Sequence, residues 1–380
     1  MKTAPLFVTA LVTCTMLAGV VLVTAQAGEY SVACSADGNK IVTAFYPGGI
    51  SNSTDAGATW NSNNVPVANW CAVASSADGT ILAAAIDGGG SYTSTNSGAR
   101  WWTNGLPPQH WRALASSQDG TRLVAGAYLF GPIYTSTNAG LSWTSNNVPN
   151  LWWNSIASSA DGLKLAAAAG ADGGSLAGIY TSSDGGATWT LNSVGSTNTY
   201  WYGIASSADG TRLVAVAYSG GIYISTNSGT NWSQTDAPVA EWANVASSAD
   251  GSKLAATSVA AIYISTNSGN TWAPIVVGEG DWFWIASSAD GNILATVNEQ
   301  TDSILVTKFT PTPCLNIATS NGNVVLSWIV PSINLVLQQS PNLPTTRWAN
   351  MAYALTLTNL QYQTWVSPAS GNMFFRLTSQ

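Results

Sequence analysis

The sequence contains few charged residues and a single histidine. Only 8% of its 380 residues are charged, and 18 Asp and Glu against 11 Lys and Arg leave a net charge of −7. Proteins that bind nucleic acid need a basic surface, so we expect no nucleic-acid partner. His110 alone cannot build a histidine-rich metal site, and a Ser-His-Asp triad would depend on that one residue. We therefore predict no metal site and no cofactor.

Cysteine is also scarce. The chain has four cysteines and no Cys-x-x-Cys pair, which gives no sign of a disulfide framework. We expect Cys34 and Cys71 to be free and buried. The glycine-rich stretches do not open helices, so no phosphate-binding loop is indicated. A calcium site among loop carboxylates, for example at Asp172, is an open alternative, although no ligand spacing favours it.

A long apolar run lies at the N-terminus, from Leu6 to Val23, and Ala25-Gln26-Ala27 follows it. Small residues in this spacing are typical of a signal-peptidase site. We therefore predict a signal peptide over residues 1–27 and a secreted, extracellular or cell-surface protein. The alternative is an uncleaved membrane anchor, because the run is near the shortest length that spans a bilayer.

The most informative feature of the sequence is an internal repeat. The motif Ser-x-Asp-Gly occurs seven times, at steps of 41, 41, 42, 48, 41 and 40 residues. A period near 40 indicates one supersecondary unit that is copied and stacked. The aspartates of the motif are Asp37, Asp78, Asp119, Asp161, Asp209, Asp250 and Asp290.

Each copy has the pattern of a small antiparallel sheet. The third copy, from Trp111 to Trp143, contains four short apolar or β-branched runs, separated by an Asp-Gly turn, a Gly-Pro loop and an Asn-x-Gly turn. Seven four-stranded sheets arranged radially form a β-propeller. The sequence therefore predicts an all-β fold, with a seven-bladed β-propeller over residues 28–309.

A second motif in the repeats resembles a known family. Ser53-Thr-Asp-Ala-Gly-Ala-Thr-Trp60 and Ser182-Ser-Asp-Gly-Gly-Ala-Thr-Trp189 are similar to the Asp-box, or BNR repeat, of sialidases, sortilin-type receptors, some xyloglucan hydrolases and photosystem II assembly factors. We expect the Asx oxygen to cap the turn, glycine to take a positive φ, and tryptophan to pack on the hairpin. The box residues are Asp55, Asn96, Asn138, Asp184, Asn227 and Asn267, with Trp60, Trp101, Trp143, Trp189, Trp232 and Trp272.

The resemblance does not extend to sialidase chemistry, which requires a cluster of three arginines. The repeats have only Arg100, Arg112, Arg122 and Arg212, and the last two follow Asp-Gly turns. The arginine patch of a photosystem assembly factor is not visible either. We therefore expect a non-sialidase member of this propeller superfamily.

The two ends of the repeat region depart from the pattern. The seventh copy lacks the box and the run that would follow it, and Tyr30–Cys34 already serves as the first strand of the first copy. We therefore predict a last blade of three strands. After a linker at residues 310–313, runs at 324–329, 335–339, 348–353, 355–360 and 373–377 predict a small β-sandwich over residues 314–380.

The two turn motifs lie on one face of the predicted propeller, so the loops on the opposite face are the candidates for function. The fourth copy has its extra residues there, at 170–178 and 191–200. Eight residues before each repeat Asp stands a constant tryptophan, which we expect to pack between blades, or alternatively to form an aromatic rim for sugar rings. These tryptophans are Trp70, Trp111, Trp153, Trp201, Trp242 and Trp282.

One residue earlier the copies diverge, to Asn69, His110, Trp152, Tyr200, Glu241 and Asp281. Glu241 and Asp281 fall in consecutive copies, with Glu279 and Glu299 in the same region, and two carboxylates are what a glycoside hydrolase needs. We predict that the other residues of this face bind a ligand by aromatic stacking and uncharged hydrogen bonds. The candidates are Asp87, His110, Tyr128, Trp152, Tyr200 and Tyr218, with Tyr46 and Phe130 beside them.

These observations predict a secreted, monomeric, non-catalytic binding module. The partner would be a polysaccharide or an extracellular protein, held on the loop-rich face. Two alternatives stay open. The first is a glycoside hydrolase that uses Glu241 and Asp281, and the second is a structural component of the cell surface.

Overall fold

The computed structural model describes residues 17–24, 29–170, 177–194, 199–275, 280–301, 303–310 and seven short strands after residue 315. Every regular element in this part of the chain is a β-strand, and no described helix could span a membrane. The chain divides into two compact units, Gly19–Lys308 and a smaller one made of Met1–Ala18 with Phe309–Gln380.

The first strand, β1 (Leu17–Thr24), belongs to the last sheet of the larger unit. The strands that follow form antiparallel sets, with four strands in each of repeats 1 to 6 and three in repeat 7, and the sets of repeats 2 and 3 join into one larger sheet. Repeat 1 contains β2 (Glu29–Cys34), β3 (Ile41–Phe45), β4 (Ile50–Ser53) and β5 (Asn61–Ser62). Repeat 2 contains β6 (Trp70–Ser75), β7 (Leu82–Gly89), β8 (Ser91–Ser94) and β9 (Trp102–Thr103). Repeat 3 contains β10 (Gln109–Ser116), β11 (Leu123–Ala127), β12 (Ile133–Ser136) and β13 (Thr144–Ser145).

The later repeats have the same order of strands. Repeat 4 contains β14 (Trp152–Ser158), β15 (Leu165–Gly170), β16 (Gly178–Ser182) and β17 (Thr190–Asn192). Repeat 5 contains β18 (Trp201–Ser206), β19 (Leu213–Ala217), β20 (Ile222–Ser225) and β21 (Ser233–Gln234). Repeat 6 contains β22 (Trp242–Ser247), β23 (Leu254–Ser258), β24 (Ile262–Ser265) and β25 (Ala273–Ile275). Repeat 7 contains β26 (Trp282–Ser287), β27 (Ile293–Asn298) and β28 (Ser303–Thr310).

The repeats close into a ring through the Ser-x-Asp-Gly turns. In each turn the backbone N–H of the variable residue donates to the carbonyl of the equivalent residue in the next repeat, at 2.7–2.8 Å. The last repeat donates back to the first, so the unit Gly19–Lys308 is circular, as a β-propeller requires. The ring runs through Ala36, Ala77, Gln118, Ala160, Ala208, Ala249, Ala289 and back to Ala36.

Each Ser-x-Asp-Gly turn uses its own polar side chains. Ser35 Oγ donates to Asp37 Oδ1 at 2.5 Å and accepts the N–H of Lys40 at 3.0 Å, while Asp37 accepts the N–H of Asn39. Gly38 has a φ of +70°, a region that glycine adopts without strain. Because these hydrogen bonds favour the ionised carboxylate, the pKa of Asp37 lies below its ordinary value. These aspartates therefore build the turns.

The turn between the third and fourth strands has the hydrogen bonds that the second motif predicts. Asp55 accepts the N–H of Thr59 at 2.8 Å and the hydroxyl of Thr59 at 2.6 Å. In repeat 2, Asn96 Oδ1 accepts the N–H of Arg100 at 2.8 Å in the same way. Gly57 has a φ of +82°. An asparagine can thus replace the aspartate, because one side-chain oxygen is enough for the cap.

The prediction of a three-stranded last sheet is wrong. The sheet of repeat 7 has the order β1, β28, β27, β26, so Leu17–Thr24 supplies the outer strand. The prediction treated these residues as part of a leader and assumed that the chain before Glu29 had no place in the fold. Cleavage after Ala27 would remove this outer strand and leave β28 as an edge.

The constant tryptophans are buried, which confirms that they pack inside the propeller. Each is at most 2% exposed. Trp111 Nε1 donates to the carbonyl of Gly89 at 2.9 Å, and Trp153 Nε1 donates to that of Gly131 at 3.0 Å, each in the preceding repeat. The alternative of an exposed rim does not hold for these residues. The six are Trp70, Trp111, Trp153, Trp201, Trp242 and Trp282.

The smaller unit contains two antiparallel sheets after residue 315. The first has the order β29, β30, β34, β33, and the second has the order β32, β31, β35. Their bounds are β29 (Asn316–Ser320), β30 (Asn323–Ile329), β31 (Leu335–Ser340), β32 (Ala349–Asn350), β33 (Thr356–Thr358), β34 (Gln361–Val366) and β35 (Phe374–Ser379). The sequence pattern does not predict β29 or β34. Residues 311–315 of the predicted linker region lie outside the described residues, and β28 extends to Thr310.

Cys34 and Cys71 are free thiols; Cys71 is buried as predicted, whereas Cys34 is partly exposed, so the prediction of burial is wrong for Cys34. Desolvation raises the pKa of both thiols, to about 12 for Cys34, which disfavours the reactive thiolate.

Candidate binding face

Most of the candidate residues lie at one end of their sheets, opposite the turns. We call this end the rim face: it holds the residue before each constant tryptophan and the residue at the end of the second strand. In five repeats a backbone hydrogen bond joins these two residues. The pairs are Asp87 with Asn69, Tyr128 with His110, Tyr218 with Tyr200, Val259 with Glu241, and Glu299 with Asp281. In repeat 4, Trp152 lies opposite Gly170.

A β-bulge follows directly in the first strand of every repeat. In repeat 3 Trp111 pairs with Ala127 while Ala113 pairs with Gly126, which leaves Arg112 as the extra residue. The bulge recurs at the same place in the other repeats. A bulge breaks the strict alternation of side chains and redirects one of them. The extra residues include Cys71, Arg112, Asn154, Tyr202, Ala243 and Phe283.

Arg112 contacts aromatic rings from three different repeats. Its guanidinium carbon lies 5.2 Å from the ring centre of Tyr128, 5.4 Å from that of Tyr202 and 6.0 Å from that of Trp284. Its Nη2 also donates to the hydroxyl of Tyr202 at 2.9 Å. These distances are within the range of cation–π attraction. Arg112 therefore links repeats 3, 5 and 7 across the ring.

Three tyrosines of repeat 5 form a second group. The ring centres of Tyr200, Tyr202 and Tyr218 lie 5.8–6.4 Å apart. Burial raises the pKa of Tyr200 to about 12, and the neighbouring Tyr128 hydroxyl adds to the effect. Gly170 gives Tyr200 its room, because a Cβ on this glycine would lie 2.9 Å from the tyrosine Cζ.

Aromatic residues of repeats 3 and 4 continue the surface. The Trp152 ring centre lies 5.0 Å from that of Tyr128 and 5.8 Å from that of Phe130. Phe130 is 56% exposed and Leu129 beside it is 48% exposed. Arg112, which lies against the rings of both Tyr128 and Tyr202, joins this group to the tyrosines of repeat 5. One aromatic surface thus runs from Phe130 through Trp152 and the tyrosines of repeat 5.

The surface ends at a carboxylate. Tyr218 is 43% exposed and lies near the exposed side chain of Glu241. The charge of Glu241 raises the pKa of Tyr218. The pairing of Glu241 with Asp281 as catalytic carboxylates stays a prediction. Glu279 lies outside the described residues.

A polar cluster occupies the rim face of repeats 1 to 3. Asp87 accepts the hydroxyl of Tyr46 at 3.1 Å and forms an ion pair of 2.8 Å with Nδ1 of His110. The backbones of Asp87 and His110 pair directly, because β7 and β10 join two repeats into one sheet. His110 is more than half exposed, and Asp87 is partly buried.

The structure thus brings some candidates together and separates others. Tyr128, Trp152, Tyr200 and Tyr218 share the aromatic surface, whereas Asp87 and His110 form the polar cluster. Arg112, Tyr202 and Trp284 also belong to this face, although the sequence did not predict it. They stand one or two residues after a constant tryptophan, and their side chains reach the face because the β-bulge breaks the alternation of the strand.

No group of three or more His, Cys, Asp or Glu side chains that could hold a metal is found among the described residues. Asp172, the example given for calcium, lies outside them.

Comparisons with known proteins agree with the fold. No protein-family model matches the chain, and no curated protein matches it in sequence. Solved structures do match: YCF48 bound to D1 peptide has a TM-score of 0.60 at 14% identity, covering 77% of this chain and 97% of that one. YCF48 from Cyanidioschyzon merolae has a TM-score of 0.60 at 15% identity, with coverage of 77% and 98%.

Propellers of other proteins match equally well. The Myceliophteria thermophila Cps50 (Swd1) β-propeller domain has a TM-score of 0.61 at 12% identity, covering 76% of this chain and 99% of that one. U3-55K has a TM-score of 0.64 at 12% identity, with coverage of 76% and 98%. At these identities the likeness shows the fold alone: this chain contains a β-propeller.

Proposed function

We propose that this protein is a non-catalytic recognition module that binds an extended segment of a protein partner on its rim face. The observation that carries the proposal is the aromatic surface from Phe130 to Tyr218, built from three neighbouring repeats. Aromatic side chains supply large contact areas with little loss of conformational entropy, and they dominate many recognition surfaces. On the turn face, the polar groups that recur in every described repeat serve the turns themselves.

Two further features favour a peptide backbone as the ligand. The indole N–H of Trp152 is buried and has no acceptor among the described residues. A carbonyl of a bound segment would supply an acceptor, although Trp101, Trp143, Trp242, Trp272 and Trp282 of the blades share this feature. In addition, YCF48 is a propeller of similar fold with a structure bound to D1 peptide, which makes peptide binding compatible with this architecture.

We also propose that the ring has seven blades built from Asp-box repeats, and that the two sheets after residue 315 form a small β-sandwich. We further propose that the protein is secreted and monomeric.

Polysaccharide is the second candidate ligand, and the exposed rings of Phe130 and Tyr218 favour it. Sugar rings stack on such surfaces and need few charges. A hydrolase that uses Glu241 and Asp281 is a further alternative, and it requires the two carboxylates at a fixed separation. A spacer role would leave the aromatic surface without a use.

The experiment compares ligands and variants in one format. A displayed random-peptide library and a polysaccharide panel are applied to immobilised wild-type protein, and released reducing ends are measured for the polysaccharides. We expect peptide enrichment that Trp152→Ala abolishes. Trp102→Ala is the matched control, because Trp102 is 42% exposed on the outer strand β9 and lies away from the rim face.

Other outcomes would redirect the conclusion. Binding of a polysaccharide, lost in Trp152→Ala, would make the module a lectin. Sugar release that Glu241→Gln abolishes would make the protein a hydrolase. If the wild type bound neither peptides nor polysaccharides better than Trp152→Ala does, a spacer role would be the interpretation that fits.

A further inference from the structure

We infer that the groove between repeats 4 and 5 is a second binding site, and that it takes a small neutral carbohydrate. The groove lies between β16 and β17 of repeat 4 and the two turns of repeat 5, so it is separate from the rim face. Binding here is independent of the peptide site in the proposed function. The size of the groove, the hydrogen bonds around it and the chemistry of its lining support this assignment.

The groove is much larger than its counterparts elsewhere in the ring. It has a volume of about 470 Å³. The equivalent grooves between repeats 1 and 2, repeats 3 and 4, and repeats 5 and 6 have about 10 Å³ each. Small-molecule sites in proteins have volumes of roughly 300–1,000 Å³. The groove between repeats 4 and 5 is therefore large enough to hold a ligand, and these three counterparts are not.

A side chain that bridges the preceding groove does not bridge this one. In repeat 3, Asn146 Nδ2 donates to the carbonyl of Gly186 in repeat 4, at 2.5 Å. Asn192 stands at the same place in repeat 4, but its Nδ2 donates to the carbonyl of Ile179 at 3.1 Å and to Thr181 Oγ1 at 3.0 Å. Both of these acceptors belong to its own repeat. The amide that bridges repeats 3 and 4 is thus turned back at the edge of repeat 4.

The spacing of the two repeats differs in the same sense. A Cβ added to Gly186 would lie 2.1 Å from Asn146 Nδ2. A Cβ added to Gly229, the counterpart of Gly186 in repeat 5, would lie 3.5 Å from Asn192 Nδ2. The Asn192 amide therefore stops short of the turn of repeat 5, and the space between them stays open.

Hydroxyl groups dominate the lining of the groove. Nine of its 15 lining residues are Ser or Thr. Each hydroxyl can donate and accept a hydrogen bond, as the hydroxyls of a sugar can, so the two sets of groups are complementary. Leu165, Leu191 and Leu213 add apolar surface on which the C–H groups of a sugar ring can pack. The lining thus has the mixture of polar and apolar groups that a carbohydrate presents.

The charges in and around the groove favour a neutral ligand. The described lining has one cation, Lys164, and no carboxylate. Lys164 Nζ donates to the carbonyl of Asp209 at 2.9 Å, and the carboxylates of Asp161, Asp184 and Asp209 belong to the adjoining turns. An anionic ligand would be repelled by these carboxylates, whereas a cationic one would find no acid in the lining. A neutral sugar has neither disadvantage.

Thr181→Ile tests the site with a residue that other repeats already use. At the position of Thr181, repeats 5 and 6 have Ile224 and Ile264, and Ile224 lines the closed groove between these repeats. The larger apolar side chain fills the open groove and removes a hydroxyl. Ser193→Trp, at an exposed position of the lining, keeps the test decisive if Thr181→Ile does not fold. The matched control is Thr135→Ile, the same change in repeat 3, where the groove is closed.

The probes are glucose, galactose, mannose, N-acetylglucosamine and their disaccharides, with glucuronate and glucose 6-phosphate as the charged arm. Each is titrated by calorimetry into the full chain, and thermal melts check that every variant folds. We expect a neutral sugar to bind the wild type, and Thr181→Ile and Ser193→Trp to weaken this binding at least about threefold to tenfold. Thr135→Ile and Trp152→Ala should leave the dissociation constant unchanged, because neither residue lines the groove.

Three results would overturn the inference and leave the peptide site of the proposed function untouched. The first is that no neutral sugar binds the wild type at millimolar concentration. The second is binding that Thr181→Ile and Ser193→Trp do not weaken, or that Trp152→Ala abolishes, since either would place the sugar outside the groove. The third is tighter binding of glucuronate or glucose 6-phosphate than of glucose, which would show a site for anions.

Discussion

Tryptophan occupies two kinds of position in this protein, and the difference decides what each residue does. Trp201 is 1% exposed and packs edge-on against Tyr223, with ring centres 5.1 Å apart. Trp102 is 42% exposed on an outer strand. Trp152 and Trp284 are both partly exposed on the rim face, and of these two Trp152 belongs to the aromatic surface with Tyr128 and Phe130. The presence of a tryptophan alone therefore does not tell whether the residue belongs to the core or to the binding face.

The first prediction concerns stability. Trp201→Ala removes a large side chain from a close-packed region, and we expect the free energy of unfolding to fall by about 3–5 kcal/mol. Trp102→Ala should change it by no more than about 0.5 kcal/mol. Urea denaturation followed by circular dichroism measures both. Equal effects would mean that the constant tryptophans do not form the core.

The second prediction concerns Arg112. Arg112→Met removes the hydrogen bond to Tyr202 and the cation–π contacts that link three repeats, so we expect a loss of about 1–3 kcal/mol. Arg112→Lys should recover only part of it, because an ammonium cannot stack as a planar guanidinium does. The control is Arg100→Met, which removes an exposed contact with Trp102. If Arg112→Met unfolded at the same urea concentration as the wild type, Arg112 would not stabilise the ring by linking the three repeats.

At the scale of elements, the turns were predictable because their chemistry is local. The serine, the Asx oxygen and the glycine of each turn are within five residues of one another, so the motif specifies the hydrogen bonds. The bulge after each constant tryptophan was not predictable, since no proline or glycine marks it in most repeats. Because of the bulge, Arg112 and Tyr202 point into the site, whereas strict alternation along the strand does not predict this.

The third prediction concerns pH. Hydrogen bonds, first from the turn serines, lower the pKa of Asp78 and Asp209 from 3.8 to about 2. Between about pH 4 and pH 2 the unfolded chain therefore binds more protons than the folded one, and stability falls as pH falls. We expect the urea midpoint to drop in this window. Asp209→Asn should show a shallower drop, and parallel curves for the two proteins would contradict the assignment.

The fourth prediction concerns the last sheet. A chain that begins at Gly28 lacks β1 and exposes the edge of β28, an eight-residue strand with fully buried Ile304 and Val306. We expect it to unfold at lower temperature and to associate more than a chain that begins at Leu17, because long apolar edges recruit other strands. Thermal melts and size-exclusion chromatography measure this. Identical behaviour would show that β1 contributes nothing.

At the scale of the whole molecule, the period of the repeat was enough to predict a β-propeller. It was not enough to predict how the ring ends, because closure joins Leu17–Thr24 to a strand nearly three hundred residues later, and no local pattern records that pairing. The face that holds the candidates followed from strand direction. Which side chains meet on it did not, since those contacts cross from repeat to repeat.

The most direct test of the central claim is the dissociation constant of the most enriched library peptide, measured by calorimetry for wild type, Trp152→Ala and Trp102→Ala. Loss of a central aromatic contact should weaken binding by at least about tenfold. The account predicts this loss for Trp152→Ala and an unchanged constant for Trp102→Ala. Equal constants for all three proteins would place the binding site away from the rim face and contradict the account.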